Sequence, residues 1–285
     1  MSKARQYVFA FEEGDGKDKM LLGGKGANLC EMTQIGLNVP PGFVISTEAC
    51  LSYLADDDRR LPDGAMDQVR AQMKSLEEKT GKTFGSREDP LLVSVRSGSA
   101  MSMPGMMDTI LNLGLNIETL KGLIARTGNE RFGYDAYRRF IQLFGKVALG
   151  VSDEAFDEEF EAVKKQAGVK QDVGLSARDL REISDRFLDV VERETGSPFP
   201  EDPYEQLEIA IKAVFKSWMG KRAVDYRREF HITRDMANGT AVNIVTMVFG
   251  NLGDDCATGV GFTRYPDTGE NRMFGEYLVN AQGED

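Results

Sequence analysis

The 285-residue chain is predicted to be a mixed α/β (α+β) protein with a helical block inserted between β-rich parts. Three observations carry this. Short β-like runs punctuated by glycines fill the first part, as in YVFAF at 7–11 and LNVPPGFVI at 37–45. Capped helices with apolar stripes dominate the middle. From residue 241 the sequence returns to β-branched, apolar residues, AVNIVTMVFG.

Each element follows from local chemistry. After YVFAF, the stretch LLGGKGANL at 21–29 reads as a glycine-rich turn. It opens a helix from Gly26, with Leu29, Met32 and Ile35 on one face and Gly36 as the stop. Lys25 then stands where a glycine loop meets a helix N-terminus. LLVSV at 91–95 reads as a buried strand ending at Arg96, which leads into SGSAMSMPGMMDT.

Asn129 caps a helix whose stripe is Phe132, Tyr137, Phe140, Ile141, Phe144 and Val147. Ser176 with Asp179 starts another, carrying Leu180, Ile183, Phe187 and Val190. Asp202 and Pro203, cap and first-turn proline, announce a third with Leu207, Ile211, Val214, Phe215 and Trp218. AVNIVTMVFG is expected to be one strand over 241–250, buried on both faces. CATGVGFTR enters a further strand, and PDTGE makes a hairpin-like turn before MFGEYLVNA. No capping element follows, which suggests a truncated chain.

The composition is 41% hydrophobic and 28% charged, an ordinary globular balance. A net charge of -11 argues against sequence-independent nucleic-acid binding, which needs clustered Lys and Arg. Any anion must meet a local positive site. The sequence shows neither a signal-like segment nor an apolar run of membrane-spanning length, so a cytoplasmic protein is expected. Cys30, Cys50 and Cys256 are odd in number and far apart, which suggests neither a disulfide framework nor a metal site. They read as small buried residues. His231 is the sole histidine; its charged setting, REFHITRD, fits a surface or turn position better than catalysis.

Four features could carry chemistry. In GGKGANL, backbone N–H groups, a helix dipole and the Lys25 ammonium could converge on one anion. The spacing is not that of a Walker A loop, and taken alone the stretch is equally a turn with a solvated lysine. Arg96, at the end of a buried strand, needs an anionic partner. A structural salt bridge would satisfy it, but a phosphate shared with Lys25 accounts for both cations. The GDDCATGVGF turn offers Thr258 and flexible backbone for close approach to a phosphate chain, although many hairpin turns look alike. Met101, Met103, Met106 and Met107 suit either core packing or a mobile loop.

Taken together, GGKGANLCEMTQIGLNVPPGFVI, SVRSGSAMSMPGMMDTILNLGLN, NERFGYDAYRRFIQLFG, GTAVNIVTMVFGN, ATGVGFTR and GEYLVNAQGED occur in the order seen in the pyruvate, phosphate dikinase family. The chain resembles that family's N-terminal nucleotide-binding domain over nearly its whole length. The sister phosphoenolpyruvate synthases share the lysine and arginine motifs, but MSMPGMMDT resembles the dikinases. The resemblance implies an ATP-grasp-like fold, with two α/β parts clamping ATP and a helical subdomain projecting from the first. It implies a first α/β subdomain over 1–116, a helical subdomain over 117–200, a return to the first over 201–248, and the start of a truncated second ATP-grasp half over 249–285.

It also implies roles. Lys25 resembles the lysine that contacts the ATP phosphates, and Arg96 the arginine that stabilises the transferring phosphoryl group. Thr258 and Gly259 match the polyphosphate-covering loop, and Met247, Glu284 and Asp285 are nucleotide-side candidates. In this family, ATP, pyruvate and phosphate become AMP, phosphoenolpyruvate and diphosphate through a phosphohistidine on a swivelling domain absent here. REFHITRD does not resemble the phosphohistidine motif. The implied cofactors are ATP and Mg²⁺, with the metal carboxylates beyond residue 285 and a homodimer for the full-length protein. The chain alone is expected to be inactive in the full reaction. Val245 departs from the family's usual glutamine, and the REFHITRDMANG segment diverges. A non-catalytic module of the same fold, or a relative of the phosphoenolpyruvate synthases or glucan dikinases, remains the alternative.

Overall fold

A computed structural model describes residues 5–283. The chain starts with strand β1 (Val8–Ala10), helix α1 (Lys19–Gln34) and β2 (Gly42–Ile45). Two helices that the sequence pattern did not single out follow, α2 (Thr47–Ala55) and α3 (Ala65–Thr80). Their buried residues are few and mixed with polar ones: Val69, Met73 and Leu76 carry the buried face of α3. Short strands β3 (Thr83–Phe84) and β4 (Pro90–Leu91) lead into β5 (Val93–Ser99) and β6 (Thr109–Leu113).

The helical block comprises α4 (Ile117–Thr127), α5 (Glu130–Phe144), α6 (Asp153–Ala167), α7 (Ala177–Thr195), α8 (Pro203–Ser217) and α9 (Lys221–Glu229). The expected caps form. The Asn129 side chain accepts from the Phe132 N–H at 3.0 Å, Ser176 and Asp179 close a capping box, and Asp202 accepts from the Glu205 N–H ahead of Pro203. A π-helical turn, Gly145–Leu149, extends α5. The chain ends in β7 (Thr240–Thr246) and a hairpin of β8 (Ala257–Phe262) and β9 (Phe274–Val279).

Five strands form one sheet in the order β1-β2-β7-β5-β6, with every neighbouring pair antiparallel. Alternation along the strands divides its two faces. Phe43, Ile45, Val93, Val95, Val242 and Ile244 join a large core that continues into Phe132, Phe140, Phe144 and Phe187 of the helical block. Val44 and Ala241 face the other way, onto Phe11, Leu22, Ala27 and Cys30 beside and within α1. The hairpin stands apart, with Val260, Phe262, Tyr277 and Leu278 exposed. No helix among the described residues is long and apolar enough to cross a membrane.

Three expectations need correction. The stretch 21–29 is helical, not a turn between strands: α1 starts at Lys19 and is broken at Gly23, which has φ 69° and ψ 161°. Arg96 does not end its strand but sits in the middle of β5, which runs on to Ser99. The strand expected over 241–250 stops at Thr246. Beyond it Val248 is exposed while Phe249 packs edge-on against Phe132 at 5.0 Å, so the chain leaves the sheet to meet α5.

Candidate phosphate-binding cleft

The glycines of GGKG exist because α1 leans on β5 with nothing between them. A Cβ on Gly23 would stand 2.0 Å from the Gly98 carbonyl oxygen, and one on Gly98 would stand 3.4 Å from the Lys25 Cβ. The break at Gly23 restarts the helix at Gly24. Lys25 therefore occupies the first turn after the break, the place where helix N–H groups ordinarily lack intrahelical acceptors.

Arg96 lies on the same face of the sheet. It pairs with Asn243 on β7 and Thr109 on β6, and Asn243 pairs in turn with Val44 on β2. A lateral row of Thr109, Arg96, Asn243 and Val44 thus runs beneath α1. The Arg96 Nε donates to Ser94 Oγ at 3.2 Å. Among the described residues, no carboxylate lies within ion-pair distance of Arg96 or Lys25. Loss of hydration, and then the charge of Arg96, lower the Lys25 pKa below the ordinary lysine value. The Lys25 side chain is nonetheless exposed, so solvent screens much of that repulsion and its effect on stability is small.

Each of the two cations lines a cavity. The first, of about 720 Å³, is lined by Arg96, Thr109, Leu111, Arg138, Arg139, Met247, Phe249, Thr258 and Gln282, among others. The second, of about 630 Å³, is lined by Lys25, Asn28, the end of β5 from Ser97 and the loop that follows it to Gly105. Thr109 belongs to both. The methionines divide between the expected alternatives: Met103 is buried against Trp218 and Ala237 with Met106 and Met107 nearby, whereas Met101 is exposed at the cavity edge.

The wider cleft carries cations that sequence reading missed. Arg138 and Arg139 project from α5, held from behind by Asp135. Arg138 Nε donates to Asp135 Oδ1 at 2.9 Å, and Arg139 Nε to Oδ2 at 3.1 Å. Burial opposes ionisation of Asp135, but Arg138 and then Arg139 overcome it and hold its carboxyl below the usual range. The signal was present in DAYRRF, an acid followed by arginines three and four residues later on an otherwise apolar helix face. Lys146 also lines the cleft, paired with Asp153.

Other singled-out residues divide. Thr258 and Met247 line the first cavity. Gly259 does not; it pairs with Tyr277 in the hairpin, where a Cβ would meet the Glu276 carbonyl oxygen at 2.7 Å. Glu284 and Asp285 lie outside the described residues. Val245 is half-buried against the Phe11 and Leu22 cluster and lines neither cavity. His231 is exposed, in a turn with φ 50°. Cys30 and Cys50 are buried, and Cys256 is only partly so.

Fold and cleft define a mixed α/β protein whose antiparallel sheet carries a cation-lined cleft between a glycine-broken helix and a helical block. The family described as "Pyruvate phosphate dikinase, AMP/ATP-binding domain" matches residues 19–67 and 58–285, and the chain belongs to it. The chain is 61% identical to the pyruvate, phosphate dikinase of Entamoeba histolytica over 280 residues, covering 98% of this chain and 32% of that protein. It is 50% identical to that of Clostridium symbiosum over 281 residues, covering 98% and 32%. Against pyruvate, phosphate dikinase 2 of Zea mays it is 50% identical over 287 residues, covering 99% and 32%. The chain therefore spans about a third of the length of these curated relatives.

Proposed function

We propose that this chain is the ATP-binding part of a pyruvate, phosphate dikinase, and that Lys25 and Arg96 form its polyphosphate clamp. One observation carries the reading: two cations, held on one sheet face by the Gly23–Gly98 contact, lack a carboxylate partner among the described residues. A phosphate chain would supply the missing charge. Phosphoryl transfer is mostly positioning and charge neutralisation, which is what such a clamp offers.

In this reading Lys25, with the N–H groups of the restarted helix, binds non-bridging phosphate oxygens in ground and transition states alike. Arg96 meets the charge that grows on the phosphoryl group as it transfers. Arg138 and Arg139 take the remaining phosphate oxygens from the other side of the cleft. Leu111, Met247 and Phe249 give the apolar wall for the base, and Thr258 covers the phosphates. Gly259 serves this loop by letting the hairpin close.

The sheet side and the hairpin then correspond to the facing halves of an ATP-grasp-like clamp, divided at 1–116, 117–200, 201–248 and 249–285. In the complete protein ATP, phosphate and pyruvate are the substrates, and a swivelling histidine domain is the partner. Mg²⁺, which would neutralise phosphate charge when bound, finds no fitting site here: among the described residues no cluster of three acidic, histidine or cysteine side chains forms. Asp153, the acid lining the first cavity, is engaged by Lys146.

The test is ATP binding and single-turnover transfer in the complete dikinase. Arg96→Ala should abolish transfer while sparing most of the ATP affinity, whereas Lys25→Met should lower both by about tenfold or more. Unchanged rates in Arg96→Ala would overturn the assignment.

A further inference from the structure

We infer that Asn243 is a positioning residue for the Lys25–Arg96 pair, setting the gap that a polyphosphate bridges; this rests on the ATP reading above. Asn243 is fully buried on β7, directly opposite Arg96 on β5. Its Nδ2 donates to the Arg96 carbonyl oxygen at 3.3 Å. Its Oδ1 is buried without a hydrogen-bond partner.

Glycines flank the amide. A Cβ on Gly26 would stand 2.8 Å from Oδ1, and one on Gly98 would stand 2.7 Å from Nδ2. Gly26 follows Lys25 in the chain, and Gly98 lies two residues from Arg96, where an added Cβ would stand 3.4 Å from the Lys25 Cβ. The amide is thus the spacer in the slot where α1 rests on β5, so a change in its size or charge reaches both cations.

Its chemistry fits that place better than either near-isostere. A leucine would fill the slot but lose the bond to the Arg96 backbone. An aspartate would lose the Nδ2 donor and place a full negative charge beside two cations that lack one. That charge would answer them internally and compete with the incoming phosphate. The neutral amide keeps the clamp spaced and leaves its charge unspent. An unbonded buried carbonyl oxygen is ordinarily unfavourable, so the amide holds this place at a cost.

The experiment is calorimetric titration of ATP and AMP into wild type, Asn243→Asp, Lys25→Met and the double variant, with circular-dichroism melts to establish folding. Asn243→Asp should weaken ATP by about tenfold or more and AMP by less than about threefold, since AMP does not reach the clamp. In the Lys25→Met background the effect of Asn243→Asp should shrink by at least about threefold, because coupled residues are not additive. Gly26→Ala, which presses on the same amide from the helix side, should show the same preference for ATP loss and serves if Asn243→Asp does not fold.

Equal losses for ATP and AMP, or a full effect without Lys25, would mean that Asn243 is merely structural. If Lys25→Met leaves ATP affinity at the wild-type level, the ATP reading fails and this inference with it. If Lys25→Met weakens ATP while Asn243→Asp and Gly26→Ala do not, this inference alone fails.

Discussion

Gly23 and Gly98 meet backbone to backbone, close enough that a Cβ on Gly23 would stand 2.0 Å from the Gly98 carbonyl oxygen. The contact sets the height of α1 above the sheet. Gly23 also has φ 69° and ψ 161°, a conformation essentially reserved for glycine. Gly23→Ala should therefore destabilise the fold by about 3 kcal/mol or more, combining backbone strain with overpacking. Urea unfolding measures the loss. A variant as stable as wild type would show that α1 can lift from β5 freely, which would undercut the clamp geometry.

Lys25 should bind ATP with proton uptake. Lost hydration and Arg96 depress its pKa in the free protein, and a bound polyphosphate would raise it again. Between the two values, binding converts a neutral amine into an ammonium, so affinity should fall as pH rises through the free-state pKa. Calorimetry in buffers of different ionisation enthalpy reads the uptake directly. Lys25→Met should abolish it; uptake that persists in this variant would assign the proton elsewhere.

Much of the fold could be read from the sequence because its signals were local. Asn129, Ser176 and Asp202 each cap the helix they announce, through bonds spanning three residues. The β8–β9 hairpin follows from its turn. Errors arose where tertiary contact decides. The glycines at 23, 24 and 26 suggest a turn, yet they permit a helix to lie on a sheet. Arg96 looked like a strand end because it follows the apolar run LLVSV, but strand alternation turns it onto the α1 face, where a cavity receives it. Residues 247–250 are as β-prone as those before them, yet Phe249 leaves the sheet and packs edge-on against Phe132. Asn243 has no local signature, since its role depends on two glycines distant in sequence.

Asp135 should matter to acid stability. Its carboxylate, about nine-tenths buried, is shared by Arg138 and Arg139, and its folded pKa lies below the ordinary 3.8. A depressed carboxylate contributes stability that is complete above the unfolded value and is lost as pH falls through the folded one. Asp135→Asn should cost about 3–5 kcal/mol at neutral pH, because Arg138 would stay buried without its anion. It should also flatten the decline in stability below about pH 4. Denaturation at a series of pH values separates the two effects. A variant whose stability falls in parallel with wild type below that pH would place the acid sensitivity on other carboxylates.

The thiols offer a probe of the cleft that needs no turnover. Burial pushes Cys50 up to about 12 and Cys30 up to about 11, and both side chains are inaccessible. The thiolate is the reactive form, so neither should label in the native state. Cys256 is partly exposed and immediately precedes Ala257 and Thr258, which line the first cavity. Partial burial, and then Asp255, raise its pKa as well, so it should react slowly at neutral pH and faster as pH rises. One thiol should therefore label in the folded protein and all three after unfolding. If the β8 loop covers the phosphates, saturating ATP should slow Cys256 by about fivefold or more while AMP, which lacks the outer phosphates, slows it less. Mass spectrometry of timed labelling reads each site separately. Equal protection by both nucleotides would place the loop over the nucleoside, and no protection by either would remove Thr258 from the site.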